Sequence, residues 1–191
     1  MTQEELQAVR ARIGSYFNTG ESIKDQCVVN SLCLSLSEVR MNTGITRIDV
    51  VASGESISIY NDAPPLAVEG TKVMPSIESL MTDLGACHAH PGHAGFEAAL
   101  CKHGIATVTA ISSKARVITG TGPTAMVQKF SVGKPLGPAK EAKAAVNGTR
   151  LDFELDKRWS GGGSFDLAGI EVAVHSIGVN LEGVELTFKD S

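Results

Sequence analysis

The sequence predicts an α+β fold built as a two-layer α/β sandwich. Helices cover one face of a mixed, mostly antiparallel sheet. Three observations predict it. Thr46–Ala52 and Glu55–Tyr60 alternate apolar and polar residues and are joined at Ser53-Gly54, a hairpin signal. Segments with helical periodicity flank and interrupt the strand segments. The 191 residues, 42% hydrophobic and 20% charged, suit one domain with a substantial core, and residues 1–191 are read as that single domain.

The elements follow in order. Thr2 and Glu5 fit a capping box, and Leu6, Val9 and Ile13 share a helical face behind it. Gly14 to Gly20 is a loop, and a second helix runs from about Ser22 to Val39. After the hairpin, Ala63-Pro64-Pro65 is a rigid break. Ile77, Leu80, Met81 and Leu84 give a short amphipathic helix, Gly85 to Gly95 a loop, and Phe96 to His103 another helix. Ile105–Ile111, Ala115–Thr119 and Ala125–Ser131 read as strands, the last two separated by Gly120-Thr121-Gly122-Pro123. Lys134–Lys143 reads as a polar connection and Thr149–Leu155 as a strand. Ser160-Gly161-Gly162-Gly163-Ser164 is a flexible loop, Phe165–Val179 a helix, and Val184–Lys189 a closing strand.

Composition excludes several functions. Net charge is −4 and no Lys/Arg block occurs, so no nucleic-acid partner is expected. No apolar run reaches membrane-spanning length, and the polar, acidic start Met1-Thr2-Gln3-Glu4-Glu5 shows no signal peptide. Cys27, Cys33, Cys87 and Cys101 form no C-x-x-C pair; reduced thiols in a cytoplasmic protein are expected.

Leu6-Gln7-Ala8-Val9-Arg10-Ala11-Arg12-Ile13-Gly14-Ser15-Tyr16 resembles the opening of the ATPase domain of the DNA gyrase B subunit, which reads L-x-A-V-R-x-R-P-G-M-Y. Ile48–Tyr60 resembles that family's first hairpin, Leu80-Met81-Thr82 the helix before its ATP lid, and Gly148-Thr149 a Gly-Thr before a pocket strand. The resemblance runs from about residue 6 to the C-terminus. It implies the Bergerat-type fold of the gyrase/Hsp90/histidine-kinase/MutL superfamily, without the transducer domain whose lysine reaches the γ-phosphate.

The resemblance also locates a pocket whose motifs are altered. The family's Glu-x-x-x-Asn places a general base and a Mg²⁺ ligand one helical turn apart. Here Asn30 and Leu34 stand there; slipping the register by one turn gives Gln26 and Asn30, again without a base. Glu38 and Asn42 spell the motif literally but sit too close to the next strand. An amide takes no proton at neutral pH, and leucine offers a hard cation no oxygen. The family's adenine-reading Asp and the following D-G-x-G become Asn61-Asp62-Ala63-Pro64-Pro65. The glycine-rich lid becomes Pro91-Gly92-His93-Ala94-Gly95-Phe96-Glu97, bringing bulk and negative charge toward the phosphate side. ATP hydrolysis is therefore not expected.

Cys87-His88-Ala89-His90-Pro91-Gly92-His93 concentrates three of the five histidines. Histidine titrates near neutrality and ligates metals, so three readings stand together. The loop is exposed and polar, or it serves acid/base chemistry in the old cavity, or His88, His90 and His93 hold a metal. The expected catalytic set is His93 with Asp62 and Glu97. The expected ligand contacts are Asn30, Asn61, His88, His90 and Thr149. Asp62 also reads as a turn-former and Asn30 as a satisfied buried amide. The leading expectation is a cofactor-free isomerase, cyclase or lyase acting on a non-nucleotide small molecule. A binding or sequestering module, or a partner of a true gyrase-like subunit, is the alternative. A homo-oligomer is compatible with the sequence but not indicated by it.

Overall fold

The computed structural model describes residues 2–71, 74–86, 92 and 104–190. Helix α1 (Gln3–Ala11) opens with the capping box: Glu5 N–H donates to Thr2 Oγ1 at 3.2 Å, and Thr2 N–H donates to Glu5 Oε2 at 2.7 Å. A 3₁₀ turn, Ile13–Ser15, leads toward α2 (Ile23–Arg40), which Ser22 caps.

α2 is buried on nearly every side from Cys27 to Glu38. Its small polar residues survive burial by bonding back into the helix. Ser31 and Ser37 donate to the carbonyls of Cys27 and Cys33 at 2.7 and 2.8 Å. At the first turn, the Lys24 ammonium is buried. It donates to the Gly54 and Gly163 carbonyls and lies 5.2 Å from the Phe165 ring centre.

The sheet has six strands in the order β4-β3-β5-β2-β1-β6. β1 (Arg47–Ser53) and β2 (Ser56–Asn61) form the expected hairpin, with Ser53 opposite Ser56 and Gly54 at φ 58° in the turn. β2 pairs antiparallel with β5 (Lys140–Leu155), and β5 with β3 (Ser112–Ser131). β4 is the short Lys134–Pro135, and β6 (Glu185–Asp190) joins β1 in parallel. β3 doubles back on itself. Val132 N–H donates to the Ser112 carbonyl at 2.9 Å, and a Cβ on Gly120 would lie 3.0 Å from Ala125 Cα. The two expected strands and the turn between them are thus halves of one curled strand.

α3 (Ile77–Thr82), α5 (Lys157–Ser160) and α6 (Leu167–Ser176) complete the helices with α4 (Gly104–Ile111). α4 corrects the expected strand at Ile105–Ile111. All eight of its residues are buried, so its sequence carries no face pattern from which to read a period. It packs against α1, α2 and α3. Thr107 and Thr109 satisfy their hydroxyls on the Gly104 and Ile105 carbonyls at 2.8 and 3.1 Å. Two smaller corrections concern the connection at 134–143, which contains β4 and the start of β5, and α5, which the sequence did not announce.

The core lies between α2, α4 and the inward sheet face, on Leu32, Leu36, Ile48, Val50, Ile59, Val117 and Leu151. Cys27 is a free buried thiol whose pKa burial drives far upward. Cys33 is disulfide-bonded, which corrects the expectation of four reduced thiols. Spacing along the chain cannot show which sulfurs the fold brings together. The thiol content therefore gives no support to a cytoplasmic location. No described helix is long and apolar enough to cross a membrane.

Candidate functional site

The inward face of the sheet carries one row of polar residues where it meets α2. Thr119 on β3 pairs with Thr149 on β5, and Thr149 pairs with Asn61 at the end of β2. All three are buried to 2% exposure or less. Buried polar groups need partners, and here the partners are specific. Asn61 Nδ2 donates to Ser35 Oγ of α2 at 2.9 Å, and Asn61 Oδ1 accepts the Ala63 N–H at 3.2 Å. Thr119 Oγ1 accepts the Leu66 N–H at 2.8 Å and donates to the Gly148 carbonyl at 3.3 Å. That leaves Thr149 as the donor in the 2.7 Å hydroxyl contact with Thr119.

Gly148 makes the row possible. Its φ is +125°, and a Cβ there would stand 2.0 Å from the Asn61 carbonyl oxygen. Only glycine permits that approach. The Gly-Thr pair is thus fixed by backbone geometry as well as by the hydroxyl.

Asn30 and Leu34 lie one turn apart on α2, and Ser35 follows Leu34. Asn30 is 5% exposed, yet among the described residues its amide has no hydrogen-bond partner. Neither is it sealed off, because Trp159 Nε1 is the described side-chain atom that is both enclosed and unpaired. The Asn30 amide therefore borders open space beside the helix. Leu34 is buried and apolar. The literal Glu38/Asn42 pair is not a helical pair, since α2 ends at Arg40 and Asn42 sits beyond it at φ 53°.

Asp62 lies next to Asn61 but points its chemistry elsewhere. Its carboxylate accepts the N–H groups of Thr46 and Arg47, each at 2.9 Å, and the Thr46 hydroxyl. Partial burial pushes this carboxyl upward, but those hydrogen bonds outweigh it and hold the pKa below the usual carboxylate value. Its bonds are those of a turn-forming residue that clamps the start of β1.

Of the expected site residues, the fold brings Asn61 and Thr149 together and links them to α2 through Ser35. His88, His90, His93 and Glu97 lie outside the described residues, as do Cys87 and Cys101. Among the described residues no group of His, Cys, Asp or Glu could hold a metal ion. Ser35 and Thr119 were missed. Nothing in the local sequence distinguishes them from other small polar residues of a buried helix and strand.

At the two α2 positions that the resemblance matches to a base and a metal ligand, the chain carries an amide, Asn30, and an alkyl group, Leu34.

The fold itself is that of the gyrase B ATPase domain. The 43K ATPase domain of Thermus thermophilus gyrase B, solved in complex with an aminocoumarin, superposes with a TM-score of 0.73 at 21% identity. The match covers 97% of this chain and 48% of that one, so the chain spans about half the length of that structure. No protein-family model and no curated protein matches the sequence.

Proposed function

We propose that this chain is a gyrase-B-like domain without ATPase chemistry whose pocket beside α2 receives a non-nucleotide small molecule. One observation carries the reading. Where catalysis needs a carboxylate, Asn30 presents a buried amide with no partner among the described residues. Because that amide borders open space, its donor and acceptor are available to a ligand in place of water. In this reading Asn61 and Thr149 back the site from the sheet, Asn61 bonded to Ser35 of α2 and Thr149 to Thr119.

Chemical conversion is assigned, from the sequence alone, to His93 with Glu97. The Asp62 carboxylate is engaged at Thr46 and Arg47. The reaction class is isomerisation, cyclisation or elimination by acid/base transfer, with no cofactor. A second reading, sequestration without conversion, draws on the solved relative in fold, which holds an aminocoumarin.

The test is mass spectrometry of what co-purifies with the intact protein, followed by titration with Mg-ATP and with an aminocoumarin. A bound non-nucleotide molecule, and no phosphate release from ATP, is expected. Steady ATP hydrolysis by the pure protein would overturn the proposal. If the co-purified molecule is converted, His93→Ala should abolish turnover and keep the fold. Saturable binding with no conversion selects sequestration.

A further inference from the structure

The helix-free face of the sheet carries a second cavity, distinct from the site at α2. It measures about 530 Å³ and lies on the outer surface of β2, β3 and β5, with Leu136 beyond β4 and Lys129 at its rim. That volume falls within the range of small-molecule sites.

Its charge runs against that of the whole protein. Four cations, Lys114, Arg116, Lys129 and Arg150, line it against two carboxylates, Asp152 and Glu154, in a chain of net charge −4. The cations are only partly engaged. Arg150 uses Nε alone, donating to Asp152 Oδ1 at 2.8 Å and Ser58 Oγ at 3.1 Å. Arg116 spends Nε and Nη2 on Asp152 Oδ2. Both terminal nitrogens of Arg150, Nη1 of Arg116 and the Lys129 ammonium thus keep their donors free among the described residues. Asp152, shared by two guanidiniums, holds them side by side. Beside this donor cluster lie Val51, Phe130 and Leu136, the last 68% exposed.

We propose that this cavity binds a small organic oxyanion, a carboxylate or phosphate monoester carrying an apolar body. The oxyanion bridges the Arg150 and Arg116 guanidiniums, whose fork geometry suits two parallel hydrogen bonds. The apolar body lies against Leu136. A bare inorganic anion gains only the first of these contacts.

The experiment is calorimetric titration of the intact protein at low salt with phenyl phosphate, benzoate and inorganic phosphate, with amide NMR shifts read in parallel. Expected are binding of phenyl phosphate or benzoate and shifts on the outer residues of β2, β3 and β5. Arg150→Glu should weaken that binding by at least about tenfold. Leu136→Ser should weaken the aromatic probes severalfold and leave inorganic phosphate unchanged. Arg150 and Leu136 are exposed, so both variants are expected to fold, and unchanged far-UV circular dichroism checks this. The relative strength of the phenyl phosphate and benzoate arms assigns the head group. Three results would overturn the proposal: no binding of either aromatic probe, shifts confined to α2 and the Asn61 row, or inorganic phosphate bound as tightly as phenyl phosphate and indifferent to Arg150→Glu. Asn30→Leu should leave these titrations unaltered, which keeps the outcome independent of the reading of the α2 site.

Discussion

The two faces of one sheet solve the problem of polar residues in opposite ways. On the inward face, Asn61, Thr119 and Thr149 are buried, uncharged, and matched donor to acceptor. On the outward face, Arg116, Arg150 and Asp152 form an ion ladder open to water, with donors to spare. The inner row is specified by geometry, because each unpaired group there costs more than a hydrogen bond returns. The outer ladder is specified by charge, where each pair contributes little and is screened by salt. Asn30 belongs to the inner side by burial and to the outer side by having capacity in reserve.

That contrast can be broken by substitution. The largest effect is expected at Gly148, where the φ of +125° and the Asn61 carbonyl leave no room for a Cβ. Gly148→Ala should lower stability by about 3 kcal/mol or more in urea denaturation. A loss under about 1 kcal/mol would show that the row shifts freely.

Next come the two asparagines, which should respond with opposite signs. Asn61→Ala strands Ser35 and the Ala63 N–H, and should cost about 2 kcal/mol. Asn30→Leu removes an amide that has no partner, and should be neutral or stabilising by up to about 1 kcal/mol while abolishing ligand binding. A strongly destabilised Asn30→Leu would place that amide among the satisfied core groups.

The smallest stability effect is expected outside. Arg116→Ala leaves Asp152 paired with Arg150, so the change should stay within about 1 kcal/mol and shrink as salt is added.

Acid titration sharpens the same comparison. Burial raises the Asp152 carboxyl, but hydrogen bonds from Arg116, Arg150 and Ser58 outweigh it and leave the pKa low. The pKa of Asp62 is lowered too. A folded pKa below the unfolded one contributes stability above the unfolded value of 3.8, and that contribution is lost as pH falls through the folded value. The wild type should therefore lose stability below about pH 4, and Asp62→Asn should flatten that loss. An unchanged acid limb in Asp62→Asn would remove Asp62 from the account.

Much of the fold was legible because its signals are local. The Thr2/Glu5 cap, the Ser53-Gly54 hairpin and the apolar face Ile77, Leu80 and Met81 of α3 each depend on residues within a few positions. α4 was not legible, because a helix buried on all sides has no polar face to betray its period. The site divided the same way. Asn61 and Thr149 could be placed by their neighbours in sequence. Ser35 and Thr119 join that row only when β2, β3, β5 and α2 converge. The sequence places Asp62 in the catalytic set with a turn-former as the alternative, and its partners at Thr46 and Arg47 are those of the turn-former.

Lys24 gives the arrangement a lever. Its ammonium ties the first turn of α2 to the hairpin tip at Gly54 and to the glycine loop at Gly163. Asn30 stands six residues further along the same helix, roughly 9 Å down its axis at 1.5 Å per residue. The hairpin tip therefore acts as a gauge that sets how far α2 is seated over the sheet. A change in the length of that two-residue loop would be transmitted as a displacement of the first turn of the helix, so a remote edit at the molecular surface would move the helix that carries Asn30.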